Sequence, residues 1–254
     1  AEIWTPIGMA TATTNTALTN PKPFAGTFDG QGYTISGIYT GSSDATEANT
    51  ATVQGLFGVV TGTVKNVVTS GCITGKGVLG GVVAYLNGGE VENCTNRAIV
   101  FVDGGTTPRG NVENGASRMG AIGGIVGNAM TGSAIANCVN ETSVTCANSN
   151  KGGRAAGILG LIDGANDSVT VERCLNSGRV DSYQYAGGIV GLNFSAQALI
   201  TDCANTGVIT GFSSGSTYVG GIVACSAGNI ENCYNIGTFG IHIDGSTGTK
   251  AAHA

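Results

Sequence analysis

Five cysteines occupy one position of a repeated segment, and cysteine is a residue that can bind a metal ion or act as a nucleophile. Zinc sites use pairs such as Cys-x2-Cys that converge on one point, and no such pair occurs among the five. Free cysteine is also one of the most frequently buried residue types. We therefore predict a ladder of buried thiols along a core, with disulfides and metal binding as the two alternatives. The ladder cysteines are Cys94, Cys138, Cys174, Cys203 and Cys233.

Three further cysteines, Cys72, Cys146 and Cys225, lie outside that repeated position. Side chains stacked in a ladder have parallel Cα–Cβ bonds, which makes the geometry of a disulfide between neighbours awkward. If the chain contains a disulfide, we expect it to involve one of these three cysteines.

An asparagine follows each ladder cysteine by two residues. Asparagine tolerates the left-handed conformation of tight turns, and stacked side-chain amides can hydrogen-bond to one another. These positions predict a structural asparagine ladder. Its members are Asn96, Asn140, Asn176, Asn205 and Asn235.

The histidines give little support for catalysis. The two that the chain contains, His242 and His253, both lie near the C-terminus. This placement excludes a His-Glu-x-x-His metallopeptidase motif and disfavours a Ser-His-Asp triad. We therefore predict no catalytic residue and no cofactor.

Two pairs of carboxylates have spacings that could serve acid–base hydrolysis, namely Asp163 with Asp167 and Asp181 with Asp202. The segment from Asp163 to Asp167 also offers oxygen ligands for calcium, although it lacks the spacing of a known calcium loop. Solvated turns explain these residues more simply. We therefore predict neither a hydrolytic centre nor a metal site.

Composition narrows the class of protein. The chain of 254 residues is 41% hydrophobic, which is enough for a substantial core, and its 44 glycines mark turns. Its charged residues make up 11% of the chain and its net charge is −5, so it offers no basic stripe for a phosphate backbone. No run of about 18 apolar residues occurs. We predict no nucleic-acid partner and no membrane-spanning segment.

The cysteines and asparagines belong to a repeat with three short apolar elements. The first is glycine, two apolar residues, then Gly or Ala, and it begins at Gly55, Gly81, Gly124, Gly157, Gly188 and Gly221. The second has an apolar residue three before the cysteine position, at Val64, Val91, Ile135, Val171, Ile200 and Ile230. The third has an apolar residue at Ile73, Val100, Val144, Val180, Ile209 and Phe239.

Three short apolar elements per repeat, each bounded by Gly or Asn, predict three strands and three turns. We therefore predict an all-β fold, a right-handed parallel β-helix (β-solenoid) with about three strands per coil and about seven coils. The spacing of three between the second apolar residue and cysteine requires a backbone bend if both side chains point inward. One continuous domain is expected, with an N-terminal cap and first coil at 1–54, repeats at 55–240 and a tail at 241–254.

Most differences in repeat length fall at one corner, just before the first element. Insertions at one phase of a solenoid form one surface, which is often the binding face. The predicted loops are 40–53, 103–119, 147–154, 181–184 and 211–217. Cationic and aromatic side chains there could recognise a glycan or a protein, with solvated loops as the alternative. These residues are Arg109, Arg118, Lys151, Arg154, Tyr183, Tyr185, Phe212 and Tyr218.

The segment Gly55-Leu-Phe-Gly58 resembles the core motif of the bacterial GLUG-repeat family, and the other copies carry Ile or Val in place of Leu. The opening segments Trp4-Thr-Pro-Ile-Gly8 and Phe24-Ala-Gly-Thr-Phe-Asp-Gly also resemble the start of such repeat regions. The resemblance implies a secreted or surface-anchored bacterial β-solenoid, often within adhesins and sometimes beside the catalytic part of immunoglobulin A-cleaving metallopeptidases. The motif is structural and brings no catalytic residue.

We therefore predict an extracellular or cell-surface module that is not an enzyme and that presents its loops to a host or microbial glycan or protein. One alternative is a homopolymer in which chains stack end to end into a fibre, because open sheet edges template strand addition. The other is a polysaccharide-active β-helix enzyme.

Overall fold

The computed structural model describes residues 3–9, 11–14, 17–19, 21–40, 53–75, 77–102, 121–146, 153–213, 217–243 and 250–253. The regular elements within these ranges are β-strands. In chain order they are β1 Thr11–Thr14, β2 Ala17–Thr19, β3 Thr27–Asp29, β4 Thr34–Tyr39, β5 Val53–Gln54, β6 Phe57–Val60, β7 Thr63–Lys65, β8 Val68–Gly75, β9 Val78–Gly80, β10 Val83–Asn87, β11 Glu90–Glu92, β12 Thr95–Val102, β13 Ala121–Gly123, β14 Val126–Met130, β15 Ala134–Ala136, β16 Val139–Asn140, β17 Val144–Cys146, β18 Arg154–Ala156, β19 Leu159–Ile162, β20 Thr170–Glu172, β21 Leu175–Asn176, β22 Val180–Ser182, β23 Tyr185–Gly187, β24 Val190–Asn193, β25 Leu199–Thr201, β26 Ala204–Asn205, β27 Ile209–Ser213, β28 Thr217–Gly220, β29 Val223–Ser226, β30 Asn229–Glu231, β31 Tyr234–Asn235, β32 Phe239–Ile243 and β33 Lys250–His253.

Four parallel sheets are built in turn as the chain advances, and one coil is a stretch that contributes to all four. The first sheet has the order β6, β10, β14, β19, β24, β29, and the second has the order β3, β7, β11, β15, β20, β25, β30. In the third sheet β4, β8 and β12 pair in succession, and β12 then continues into two rows, β16, β21, β26, β31 and β17, β22, β27, β32. The fourth sheet has the order β5, β9, β13, β18, β23, β28, β33.

This architecture confirms the predicted all-β parallel β-helix. The prediction of about three strands per coil is wrong, because the chain forms a fourth strand just before each glycine motif. Strands β9, β13 and β18 are buried throughout. In β13, for example, Ile122 joins the main core while Ala121 joins a smaller cluster with residues of the first sheet. Strands that are buried on both sides show no alternation of apolar and polar residues, so the sequence pattern did not reveal them. The handedness and the number of coils remain predictions.

The main apolar core runs through the coils. Its first-sheet members include Val83, Val126 and Leu159, which lie in register on neighbouring strands and are fully buried. Because each coil adds an equivalent set of side chains, the core grows one layer at a time and each coil depends chiefly on its neighbours.

A left-handed residue forms the corner between the second and third sheets. Asn137 has a φ of 54° and separates Ile135 from Cys138, both of which are fully buried. This residue is the bend that the spacing of three requires. The same conformation recurs at Asn66, Asn93, Asn137, Arg173, Asp202 and Asn232.

The asparagines form a continuous chain of hydrogen bonds through the third sheet. Each side chain donates from Nδ2 to Oδ1 of the asparagine in the next coil, over 2.9, 2.8, 2.7 and 2.7 Å from Asn96 through to Asn235. Thr69 starts the chain by donating its hydroxyl to Asn96 Oδ1 at 2.9 Å. The remaining Nδ2 proton of each asparagine bonds the carbonyl two residues later, for example Thr142 O at 2.8 Å from Asn140.

From Gly81 onward, the first glycine of each motif lies against this ladder. A Cβ at Gly124 would stand 2.5 Å from Asn140 Cγ and 2.2 Å from the Gly157 carbonyl oxygen. The equivalent Cβ at Gly157 would stand 2.2 Å from Asn176 Cγ. These separations are far below van der Waals contact, so the stacked amides leave room only for glycine.

We expect Gly124→Ala to reduce the free energy of unfolding by about 3 kcal/mol, because overpacking a buried site displaces both the amide ladder and the adjoining backbone. Gly240→Ala is the matched control, since a Cβ there meets no atom within 4 Å, and we expect it to change stability by less than about 0.5 kcal/mol. Urea unfolding monitored by circular dichroism measures both. Equal stability of the two variants would contradict this packing.

Candidate functional site

Five aromatic rings lie on the later coils in two groups, three at the end of the third sheet and two in the fourth sheet that follows it. We call this surface the aromatic corner. Its members are Tyr183, Tyr185, Phe212, Tyr218 and His242. Four of these side chains are half-buried and His242 is exposed, so the rings are held by packing while part of each reaches solvent.

Three of the rings form a column across successive coils. The ring centroids of Tyr183 and Phe212 are 5.5 Å apart, and those of Phe212 and His242 are 6.0 Å apart. The pairing of β27 with β32 produces the second contact by placing Phe212 opposite His242. The spacing of the rings therefore follows from the separation of hydrogen-bonded strands.

A separate pair of rings stacks in the fourth sheet. Tyr185 and Tyr218 lie opposite each other in β23 and β28, with centroids 5.1 Å apart and ring planes inclined by only 8°. Burial raises the pKa of the Tyr185 hydroxyl above its ordinary value, so this group remains a neutral hydrogen-bond donor at physiological pH. Parallel tyrosine rings offer flat apolar faces and polar edges together.

Hydrogen bonds fix the backbone beneath the rings. The buried Thr217 hydroxyl lies 3.0 Å from Tyr183 O and 3.2 Å from Phe212 O. The Tyr218 amide donates to Gln184 O at 2.7 Å, and the Tyr185 amide donates to Gly153 O at 2.9 Å. Each ring-bearing segment is thus tied to the coil beside it, which gives a preformed surface.

Arg154 occupies the position next to Tyr185 in the fourth sheet and is only 3% exposed. Burial lowers the pKa of its guanidinium, while the neighbouring Tyr185, Asp163 and Cys146 favour the charged form. Arg154 is therefore not the exposed loop residue for partner binding that its sequence position predicts. It begins β18 and lies opposite Tyr185.

The other predicted loop residues are placed as follows. Tyr183 and Phe212 are brought together in the aromatic corner. Arg109, Arg118 and Lys151 lie outside the described residues, as do most of the predicted loops 40–53, 103–119 and 147–154. Within the predicted loops 181–184 and 211–217, the first residues belong to the ends of β22 and β27.

Sequence reasoning missed His242 as a site residue. The signal was present, because Phe212 and His242 each follow the third apolar element of their repeat, Ile209 or Phe239, by three residues. Equal phase in a solenoid predicts adjacent positions, and the structure shows this pairing.

The carboxylates that could have served hydrolysis have structural partners. Asp167 Oδ2 accepts the Gly164 amide at 2.9 Å, and Asp181 Oδ2 accepts Arg179 Nε at 2.7 Å. Across the described residues, no group of three or more His, Cys, Asp or Glu side chains is arranged to hold a metal ion.

All eight cysteines are free thiols. Each ladder cysteine directs its sulfur toward backbone carbonyls, as in Cys138, whose Sγ lies 3.2 Å from Ala136 O and 3.6 Å from Val91 O of the preceding coil. Burial raises the pKa of the Cys138 thiol well above its ordinary value. The ladder therefore packs in the core, where Cys94, Cys138, Cys174 and Cys203 are buried and Cys233 is partly buried.

Comparison with known proteins agrees with this fold. Residues 182–210 match the sequence model of the GLUG motif, a stretch that contains both Gly188 and the ladder residues Cys203 and Asn205. The predicted resemblance to GLUG repeats is thereby confirmed, and the chain is a parallel β-helix that carries this motif. No curated protein sequence matches the chain significantly.

A solved structure described as a "putative immunoglobulin A1 protease" from Bacteroides ovatus is similar to the chain, with a TM-score of 0.54 and 21% sequence identity. The similarity covers 89% of this chain and 68% of that one. At this level of identity the likeness shows the fold. In the described part of the chain, no helix has the length and apolar character needed to cross a membrane.

We expect Cys225, which is exposed, to be the thiol that iodoacetamide modifies fastest in the folded protein. The fully buried Cys94, Cys138 and Cys203 should react at least about 100-fold more slowly, because the reagent cannot reach their sulfur atoms in the folded core. Peptide mass spectrometry after timed labelling measures the rates, and labelling in guanidinium, where all eight thiols react, is the control. Comparable rates for Cys138 and Cys225 would contradict the buried ladder.

Proposed function

We propose that the chain is a non-catalytic module of an extracellular bacterial protein and that its aromatic corner binds a glycan. The GLUG motif at residues 182–210 and the solved structure from Bacteroides ovatus both support an extracellular β-helix. The module would act passively, by holding a recognition surface on a stiff scaffold.

The observation that carries this proposal is the three-ring column of Tyr183, Phe212 and His242 beside the stacked Tyr185 and Tyr218. The C–H faces of sugar rings pack on aromatic faces, while their hydroxyl groups require hydrogen-bonding partners at the ring edges. Three tyrosine hydroxyls and an imidazole provide such partners. Rings that repeat from coil to coil suit a chain of linked sugars better than a single small molecule.

Preorganisation favours the same function. The backbone of the corner is tied to neighbouring coils by the Thr217, Tyr185 and Tyr218 hydrogen bonds, so little conformational entropy would be lost when a ligand binds. A glycan adhesion module needs this combination of exposed ring surface and rigid support. Asp167 and Asp181 each accept a hydrogen bond from within the protein, so they give no comparable argument for a polysaccharide-active enzyme.

A glycan array followed by titration calorimetry tests the proposal. We expect Phe212→Ala, which interrupts the three-ring column, and Tyr218→Ala, which removes the stack, each to weaken the affinity for an array-selected glycan at least about tenfold. Tyr33→Ala is the control, because Tyr33 is 73% exposed and lies near the N-terminal end, and its affinity should be unchanged.

Three outcomes would overturn the proposal: no glycan binding by the wild-type chain, equal affinity of all three variants, or release of new reducing or unsaturated ends from the bound glycan. Release of new chain ends would show that the protein is an enzyme that cleaves the glycan. Thermal melts of the variants confirm that a lost affinity is not a lost fold.

A further inference from the structure

The two ends of the solenoid differ in how the core is closed. At the N-terminal end the rings of Phe24 and Phe28 pack on Phe57 with centroids 5.1 and 5.3 Å away. Trp4 also packs against the core, and its Nε1 donates to Leu56 O at 3.2 Å. This end is covered by the chain itself.

At the C-terminal end the last coil leaves its inner face open. A cavity of about 520 Å³ there is lined by residues that include Ile222, Ile230, Cys233 and Asn235. Ile230 is 45% exposed, although the residue at the same position of the preceding coil, Ile200, is fully buried. The open surface is therefore the cross-section of the core.

The asparagine ladder ends at this surface with an unused donor. Asn235 accepts from Asn205 and donates one Nδ2 proton to Gly237 O at 2.9 Å. In each earlier asparagine the other proton bonds the next coil, and among the described residues Asn235 has no such neighbour. Within the part of the chain that the structure describes, the second Nδ2 proton of Asn235 therefore has no acceptor in a following coil.

The fourth sheet already extends past this end. Strand β33 pairs in register with β28, so that Tyr218 lies opposite Ala251 and Gly220 opposite His253. Among the described strands, the first, second and third sheets end at β29, β30 and the pair β31 and β32. The next layer is therefore represented by β33 alone, and the last strands of the first, second and third sheets have no further partner among the described strands.

We propose that the C-terminal end is an acceptor site for one parallel β-solenoid coil that carries an asparagine at the ladder position. Such a coil would cover Ile230 and Cys233 with apolar side chains. Its asparagine Oδ1 would accept the free Nδ2 proton of Asn235, which fixes the register. The cavity shares Tyr218 with the aromatic corner, but the inference rests on the exposed core and the asparagine ladder and not on the proposed glycan binding.

The donor-to-acceptor direction of the asparagine ladder argues for this occupant and against a second copy of the chain. If two copies met with their C-terminal ends, the unused Asn235 donors would face each other without an acceptor. If the N-terminal end of a copy docked instead, its cap would intervene, and the residue at the ladder position would be Ile35, which lies opposite Thr69 and has no side-chain acceptor. Neither arrangement completes the chain of amides.

The probe is a synthetic peptide of residues 188–213, which carries one strand for each of the first two sheets and two for the third, has Asn205 at the ladder position, and leaves the fourth-sheet place to β33. We expect the fluorescently labelled peptide to bind the full chain saturably, and the same peptide with Asn205→Leu to bind at least about tenfold more weakly. In hydrogen exchange, the peptide should protect the amides of Asn232 and Phe239. These are the positions equivalent to Asp202 and Ile209, whose amides donate to carbonyls of the following coil.

Two variants of the full chain locate the site. Ile230→Asp should abolish peptide binding, whereas Ile236→Asp in the same coil should leave it unchanged, because Ile236 is 74% exposed and Ile230 occupies a core-facing position. Circular dichroism establishes that both variants fold. The proposal is overturned if the peptide does not bind, if Asn205→Leu binds equally well, if both variants bind equally, or if sedimentation shows that Ile230→Asp dissolves a dimer of the chain.

Discussion

The buried chain of side-chain amides is the constraint on which the rest of the structure depends. Thr69 and five asparagines form a chain of side-chain hydrogen bonds through the third sheet. In every one of these bonds the donor lies in one coil and the acceptor in the following coil. A buried amide is costly when it lacks a partner, so each coil has to hold its asparagine in register with the next. Backbone ladders alone would tolerate a slip between coils, whereas the amides specify one alignment.

Other sequence features follow from this alignment. The first residue of the repeated motif is glycine because the amide occupies the space of its Cβ, as at Gly124 and Asn140. The left-handed corner at Asn137 and its equivalents turns the chain so that the residues on both sides face the core. Packing and the amide ladder restrict the residue types on the inside of the coils. Residue types can differ between repeats on the outside, where the aromatic corner lies. Scaffold and recognition surface are thus separated within each repeat.

Much of the fold could be predicted because the sequence repeats. Equivalent positions in successive repeats become neighbours in the solenoid, and this rule identified the cysteine and asparagine ladders. The fourth sheet could not be found in this way, since strands such as Ala121–Gly123 are buried on both faces and follow loops of variable length. The site was predicted in part. Tyr183 and Phe212 were identified by residue type, but the burial of Arg154 depends on that unrecognised sheet, and His242 required the phase argument to be carried into the last coil.

The stability of Asn140→Ala tests the role of the amide ladder most directly, with Asn229→Ala as the control because Asn229 is exposed on the second sheet. Removing the Asn140 amide leaves the Asn96 donor and the Asn176 acceptor without partners in the core. We expect urea unfolding to show a loss of about 3 kcal/mol or more for Asn140→Ala and of less than about 0.5 kcal/mol for Asn229→Ala. A loss for Asn140→Ala as small as that of the control would contradict the central role of the ladder.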